Sequence, residues 1–538
     1  MTITSIFGLQ SGFNTSEIVD KLIALQQRPL EAKVSERELQ IEKLDLLKQL
    51  RSLADSFESV VRQMDVRDRL LKKVGDFLGD TSTAKVGINT SVFSPTGSFA
   101  INVTQLAKVG IVRSDDNFSS ATSVYSPDDP GSMDITVGGV LTSVAITNTD
   151  TLQDVVDKIN ASAADVTAKV VDSGSGATPF SIVIEGNTTG STQTVSALFV
   201  EAGADQTFTS IQTAQDALFT LDTISYTRSS NTVNDVITGT TLTLDALGSG
   251  AINISIDADS IRTKVEDFVD KFNELKEFFD ENAFFDSDSL ESGPLFGQFS
   301  VRNLKETLSD LVSSEVTGLS SSFTFLSQIG IRTQDDGSLA IDDAALTSAL
   351  ISDPEGVANL FYITGSATNV NVDFISATSK TEEGTFELQV TGGVPEIRKV
   401  GEASFTPAVQ GPGNTFIGAS GTSAEGLAFS IDSSELGTDG SKGTITVSVG
   451  IAEKLDRLLT FNTDTTQDGP LMGDINTTTE KIEDLNDVIL RLDDRLRLFE
   501  EQIQQEFIQL EVVLGQLDAQ RQAIQSSLTN LSGLLKKN

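Results

Sequence analysis

Lys481–Ile503 reads KIEDLNDVILRLDDRLRLFEEQI, and its apolar residues Ile482, Leu485, Ile489, Leu492, Leu496, Phe499 and Ile503 fall at alternating steps of three and four. That rhythm sets the apolar side chains on one face of a helix, which predicts a coiled-coil seam with Glu, Asp, Gln and Arg on the other faces. The pattern extends from Ile475 to Leu535: Leu510, Val513, Leu517, Ile524, Leu528, Leu531 and Leu535 resume it, with polar lapses at Glu506 and Gln520. Between Lys481 and Ile524 there is no Pro, and Gly515 is the one Gly. A helix of this length rises about 90 Å, more than a globular domain needs, and its seam has to be covered by other chain segments.

Working outward, the same rhythm recurs near the start of the chain in Leu46, Leu50, Leu53, Phe57, Val60 and Met64, with Leu39 one heptad earlier and Lys43 as a lapse. A third copy is internal: Ile261, Val265, Phe268, Phe272, Leu275 and Phe279. Three amphipathic segments can close one bundle. The expected fold class is therefore α+β multidomain, an elongated helical or coiled-coil stem from both termini and a middle segment, with antiparallel β-rich domains inserted between them. Near the N-terminus, Asn14, Thr15 or Ser16 can cap a short helix bearing Ile18, Val19, Leu22, Ile23 and Leu25, which Pro29 is expected to end or kink. So short a piece is expected to be mobile in the monomer and ordered only in an assembly.

Composition removes most chemistry. The 538 residues include no Cys and no His, so thiol catalysis, His-based triads, haem ligation and the usual zinc sites are unavailable. There is no GxxxxGK[ST] loop and no GxGxxG turn, and with 77 Asp+Glu a carboxylate pair arises by chance, so no enzyme, cofactor or catalytic residue is expected. The acidic stretches Thr333–Asp343 and Asp464–Gly469 lack the spacing of a calcium loop, and no metal is expected. The net charge of −39 is concentrated in the middle: residues 1–75 carry 12 Lys+Arg against 11 Asp+Glu, residues 451–538 carry 9 against 16, and residues 76–450 carry 17 against 50. A chain of that sign repels phosphate and anionic lipid, so neither nucleic acid nor a membrane surface is an expected partner. No apolar run is long enough to span a membrane, and the opening MTITSIFGLQSGF lacks the pattern of a secretory signal.

From about Gly75 to Asp257 charge thins and Ser, Thr, Val and Gly dominate. Alternations such as Phe99–Val103 and Phe180–Ile184 predict short antiparallel strands, interrupted by a helix over Thr151–Ala161 with Leu152, Val155, Val156 and Ile159 on its apolar face. Asn231 and Gly239 are expected in turns. Residues 366–450, rich in Gly with strands at Thr385–Val390 and Gly443–Val449, read as one more inserted β-domain.

Several motifs together carry a resemblance. Gly8-Leu9-Gln10-Ser11-Gly12-Phe13-Asn14-Thr15, followed by Ile18-Val19-Asp20-Lys21-Leu22-Ile23-Ala24-Leu25 and Arg28-Pro29-Leu30, resembles the N-terminal signature of the bacterial flagellar filament cap family, the hook-associated protein 2 family, with Phe13-Asn14 where Leu-Asp is usual. Val137–Gly186, with Ile159-Asn160, is similar to the flagellin-hook IN module. Ser229–Leu244, Phe268–Leu275, and the series Leu326–Ile331, Asp336–Leu339 and Pro354–Phe361 are similar to the same family's wording.

The resemblance implies a non-enzymatic cap at the flagellar tip, extracellular and exported without a cleaved signal. It oligomerises with itself and retains, folds and inserts flagellin; an export chaperone and the hook-filament junction protein are further implied partners. Gly8, Leu9, Ser11, Gly12, Ile18 and Leu22 would form an N-terminal assembly motif. The expected domains are an N-terminal assembly segment 1–40; a helical stem of 41–75 with 258–365 and 451–500; an inner β-rich domain of 76–130 with 220–257; an outer one of 131–219; the insertion 366–450; and a C-terminal assembly segment 501–538. Another axial protein, flagellin or the junction protein, would share the terminal helices. A coiled-coil surface adhesin would predict a signal or anchor. For 366–450, host-surface or mucin contact and a longer protective surface are both open readings.

Overall fold

The computed structural model describes residues 15–79, 86–466 and 469–535. It comprises two compact units, Met1–Arg67 with Arg262–Asn538, and Asp68–Ile261.

In the first unit the N-terminal helix is one piece, Thr15–Val61, with Pro29 inside it. Of the two outcomes expected at Pro29, an end or a kink, the helix does not end, although a mid-helix proline lacks a donor and costs about 3 kcal/mol. The helices packed along its length, Ile451–Thr463 and Pro470–Leu535, favour continuation over a break. Its inner face buries Leu47, Leu50, Ala54, Phe57, Val61 and Met64, which is a three-four series in its own right. Leu46, Leu53 and Val60 flank that face and are half-buried. The stripe is thus wider than the seam read from the sequence and is centred one residue away from it.

The middle helix, Ala258–Asn282, buries every position of its seam, Ile261, Val265, Phe268, Phe272, Leu275 and Phe279. Phe57 meets Phe268 with ring centroids 5.4 Å apart and Phe272 at 6.2 Å, and Phe268 meets Phe361 at 5.9 Å. Aromatic pairs of this kind add about 0.5–1.5 kcal/mol beyond burial. Asn273 on the same helix clamps the hairpin Ile331–Thr333/Leu339–Ile341. Its amide accepts from the Leu339 N–H at 2.8 Å and donates to the Leu339 carbonyl at 2.9 Å. Gly337 turns that hairpin at φ +84°, a left-handed value that suits glycine.

Residues 364–448 form a two-sheet body with its own core, including Phe386, Leu388, Phe416, Phe429 and Ile445. One sheet runs in the order Thr364–Ala367, Gly440–Ser448, Gly384–Thr391, Val394–Lys399, Thr406–Pro407; the other runs Val372–Ser376, Ala428–Ile431, Thr415–Ile417, Val409–Gln410. Its first and last strands pair, Thr364 opposite Ser448, so the body leaves and re-enters the helical part through one zipped ribbon. Beyond the ribbon, Arg457 fixes it. The guanidinium pairs with Glu453 at 2.7 Å and donates to the carbonyls of Thr381 at 3.1 Å and Thr378 at 3.4 Å. Lys454 pairs with Glu383 at 2.8 Å. Burial raises the Glu453 carboxyl pKa, and Arg457 opposes that rise.

The second unit holds two cores. The inner one lies between a sheet in the order Lys73–Gly79, Gly248–Ile256, Gly97–Gln105, Ala217–Leu221, Ile224–Arg228 and a three-stranded sheet of Thr232–Ile237, Thr240–Leu244 and Val86–Thr90. The outer one is a seven-stranded sheet covered by the helix Leu152–Asn160, whose Thr151 and Asp154 form a reciprocal cap. The crossover between them differs from the expected boundaries. Ile111–Ser114 and Tyr125 belong to the outer body, whereas Ala217 and Phe219 belong to the inner one. The neck is a backbone bridge in which the Lys108 N–H donates to the Gln215 carbonyl at 2.9 Å. Asn231 sits in the bend between Ile224–Arg228 and Thr232–Ile237, as expected of a turn residue, and from there braces the neck, its amide accepting from the Ala107 N–H at 2.7 Å and donating to the Ala107 carbonyl at 3.0 Å. Asn160 treats Ala168 in the same way, at 2.7 and 2.9 Å, locking helix to strand.

Two outcomes follow from this packing. Leu47→Ala should cost about 2–5 kcal/mol in urea unfolding, as a buried Leu truncation does, and Leu46→Ala clearly less; equal losses would contradict the observed face. Glu425 accepts from the Gly421 N–H at 2.7 Å and from Lys380 at 2.8 Å, and these hold its pKa down to about 2 from 4.5. Because the folded value is depressed, its contribution is present above pH 4.5 and lost as pH falls through about 2. Carboxyl-carbon NMR should give a midpoint near 2 for Glu425, and one near 4.5 would refute the clamp.

Candidate assembly surfaces

The C-terminal helix, Pro470–Leu535, starts five residues before the expected Ile475 and runs antiparallel to the N-terminal helix. Lys481 lies 3.6 Å from Glu36, and Arg37 donates to the Asn486 side chain at 3.4 Å. Nearer the aromatic core the N-terminal helix meets Ile451–Thr463 instead, where Arg62 pairs with Asp456 at 2.8 Å and the Thr460 hydroxyl donates to Glu58 at 3.0 Å. Lys33 first, then Lys481, holds the Glu36 carboxyl below the usual range, and Asp456 raises the Arg62 guanidinium. Exposed pairs of this kind add little stability; they fix register.

Coverage changes steadily along the C-terminal stripe. Leu471, Ile475 and Leu485 are buried, and Ile482, Ile489, Leu492, Leu496, Phe499 and Ile503 are half-buried. Leu510, Val513, Leu517, Ile524 and Leu528 are exposed, Leu510 at 46% and Ile524 at 62%. On the N-terminal helix Val19 is still buried, whereas Ile18 and Leu22 are exposed. Gly8, Leu9, Ser11 and Gly12 lie outside the described residues, so only the later part of that motif has a described place, as the first turns of a long helix. Of the polar lapses, Lys43 is half-buried and Glu506 and Gln520 are exposed.

The structure thus packs Phe57 against Phe268 and Phe272, with Leu50 and Met64 buried on the same face of the N-terminal helix. It places the heptads beyond Leu485 farther out, where the described partner of the C-terminal helix at Glu36 and Arg37 is the N-terminal helix. Leu47, Ala54 and Val61 were not singled out from the sequence. Their three-four spacing is the signal that could have found them, masked by the small Ala54.

A second exposed apolar feature is the loop after the middle helix, where Phe285 and Phe296 stack at 5.1 Å and Arg302 lies 5.7 Å over Phe299. Among the described residues no three Asp or Glu side chains converge as metal ligands, and no helix is long and apolar enough to cross a membrane.

Comparison with known proteins gives these surfaces a family. The family model described as flagellar hook-associated protein 2 C-terminus matches residues 214–519, and that of the N-terminus matches residues 11–109. The flagellar hook-associated protein 2 of Campylobacter jejuni is 26% identical over 415 residues, 66% of this chain and 64% of that one. The protein of the same name from Escherichia coli K12 is 27% identical over 403 residues, 69% and 82%. The match therefore spans just under two thirds of the Campylobacter relative. The crystal structure of the flagellar cap protein FliD D1-D2-D3 domains from Escherichia coli aligns with a TM-score of 0.48 and 24% identity, covering 59% of this chain and 90% of that one. With its C-terminal family model alone spanning more than half of the sequence, the chain belongs to the flagellar hook-associated protein 2 family.

Proposed function

We propose that this protein is a non-enzymatic cap at the distal tip of the bacterial flagellar filament, outside the cell, where copies of it associate and retain, help fold and insert exported flagellin. The observation that carries the reading is the C-terminal stripe, buried at Leu471, Ile475 and Leu485 and exposed at Leu510, Val513, Leu517, Ile524 and Leu528. An apolar heptad left uncovered in one chain is suited to ordering against a helical partner, as coupled folding and binding requires. The terminal segments, 1–40 and 501–538, are then the assembly surfaces. The helices with 258–365 and 451–500 form the supporting body, and the β-rich bodies form the closing plate.

Weak contacts suit a cap that must shift each time a subunit adds, and Lys43, Glu506 and Gln520 weaken the stripe at intervals. An export chaperone before secretion and the hook-filament junction protein at the base of the filament are the further partners of this reading. The acidic insertion 366–450 is read as added protective surface, with host-surface contact the alternative that adhesion assays on a deletion would reveal.

Leu517→Asp with Ile524→Asp changes two exposed positions, so stability should stay within about 0.5 kcal/mol of the parent. Cells carrying this variant should release flagellin into the medium and bear short filaments or none, and electron micrographs of the purified variant should lack the rings or plates expected of the parent. Filaments of normal length would overturn the proposal.

A further inference from the structure

The strand Gly440–Ser448, which leaves the two-sheet insertion, carries a lysine on its inner side. Ile445 and Val447 face the core, so strict alternation would turn Gly443 and Ser441 inward and Lys442 out to water. A bulge reverses this. Leu388 stands opposite Gly443 and the next residue, Gln389, opposite Ser441, which leaves Lys442 as the extra residue, and Gly443 takes φ +92° beside it. The Lys442 side chain is only 5% exposed as a result.

Side chains from three stretches of the chain meet there. Lys442 Nζ donates to Glu435 Oε2 at 2.8 Å, and Asn371 Nδ2 donates to the other oxygen, Oε1, at 3.0 Å. One carboxylate thus holds an amine and a carboxamide next to each other. Backbone bonds fix its place: the Asp432 N–H donates to the Asn371 carbonyl at 2.9 Å, and the Glu435 N–H to the Asp432 carbonyl at 2.9 Å. Lys442 first, then Asn371, holds the Glu435 carboxyl below its ordinary range, so the resting pair is charged. An ion pair taken out of water returns little stability, because desolvation offsets the attraction. With Asn371 on the same carboxylate, this pair has a neutral alternative.

We propose that Lys442 and Asn371 condense into an intramolecular isopeptide bond, with Glu435 as the proton carrier. A proton passes from the Lys442 ammonium to Glu435 along the bond between them, which frees the amine lone pair. That lone pair attacks Asn371 Cγ, the Nζ–Cγ bond forms, and the carbonyl electrons move to Oδ1. Glu435 carries two protons in turn from Nζ to Nδ2, the Cγ–Nδ2 bond breaks, and the nitrogen leaves as ammonium. Glu435 ends as it began, nothing is oxidised, and no co-reactant enters. Holding amine and amide on one carboxylate supplies the proximity that the reaction needs. The product joins the strand that leaves the insertion to the residue before Val372–Ser376, an edge strand of the opposite sheet, and closes residues 371–442 into a covalent ring. In a chain with no Cys, it is a staple of the kind a disulfide provides elsewhere. The inference does not depend on the cap reading.

Mass spectrometry of the purified full-length protein is the test. The intact chain should be lighter than its sequence by one ammonia, and a tryptic digest should contain a branched peptide joining Asn371 to Lys442. Lys442→Arg keeps a cation beside Glu435 but removes the amine nucleophile, and Glu435→Gln removes the proton carrier. Both variants should show the full sequence mass and no branched peptide, with circular dichroism checking the fold. A parent chain of full sequence mass would overturn the inference whatever the variants do. So would loss of ammonia with the two peptides unlinked, as a succinimide at an asparagine gives, a branch from Lys442 to another residue, or a Lys442→Arg chain that still loses ammonia.

Discussion

The contact of Phe57 with Phe268 and Phe272 ties a residue near the start of the chain to one near its middle, and the same body includes the helix Pro470–Leu535 from its end. Once segments so far apart share a core, whatever lies between them has to leave and return at nearly the same place. Each β-rich insertion meets that constraint in the same way, by pairing its own first and last strands. Lys73–Gly79 pairs with Gly248–Ile256, and Thr364–Ala367 with Gly440–Ser448. Closing a long loop costs only logarithmically more than closing a short one, so large insertions are tolerated provided the neck is zipped.

The necks and junctions share a second device. Asn160, Asn231 and Asn273 each offer both ends of an amide to the backbone of one residue, Ala168, Ala107 and Leu339 respectively. A side-chain amide reproduces the donor and acceptor of a strand neighbour where no strand can reach, so the backbone groups of those residues stay satisfied. These asparagines lie in the stretches that resemble family motifs, which gives those motifs a structural reason.

Much of the architecture was legible because periodicity is a direct image of packing. The heptads at Ile261–Phe279 are buried without exception, and the helix over Thr151–Ala161 appears within a residue of its expected ends. What was not legible depends on distant partners. Pro29 reads as an end or a kink, and the helix continues through it with other helices packed along it. Leu47, Ala54 and Val61 outrank Leu46, Leu53 and Val60 because the neighbouring helices select the face, and a single helix cannot state where its neighbours lie. The crossover at Lys108 and Gln215 is a backbone bridge, which no side-chain pattern announces. The aromatic loop passed unnoticed because exposed Phe and buried Phe look alike in a sequence.

The C-terminal stripe reads in the sequence as one seam with polar lapses at Glu506 and Gln520, whereas the structure grades it from buried at Leu471 to exposed at Leu528. Its basis is the antiparallel pairing of the two terminal helices within one chain. Arg37→Cys with Asn486→Cys, in a protein otherwise free of cysteine, tests that pairing with a short bis-maleimide at high dilution. The account predicts a cross-link closed within a single chain, with monomer mass and no change in circular dichroism. No closure, or closure only between chains, would contradict it.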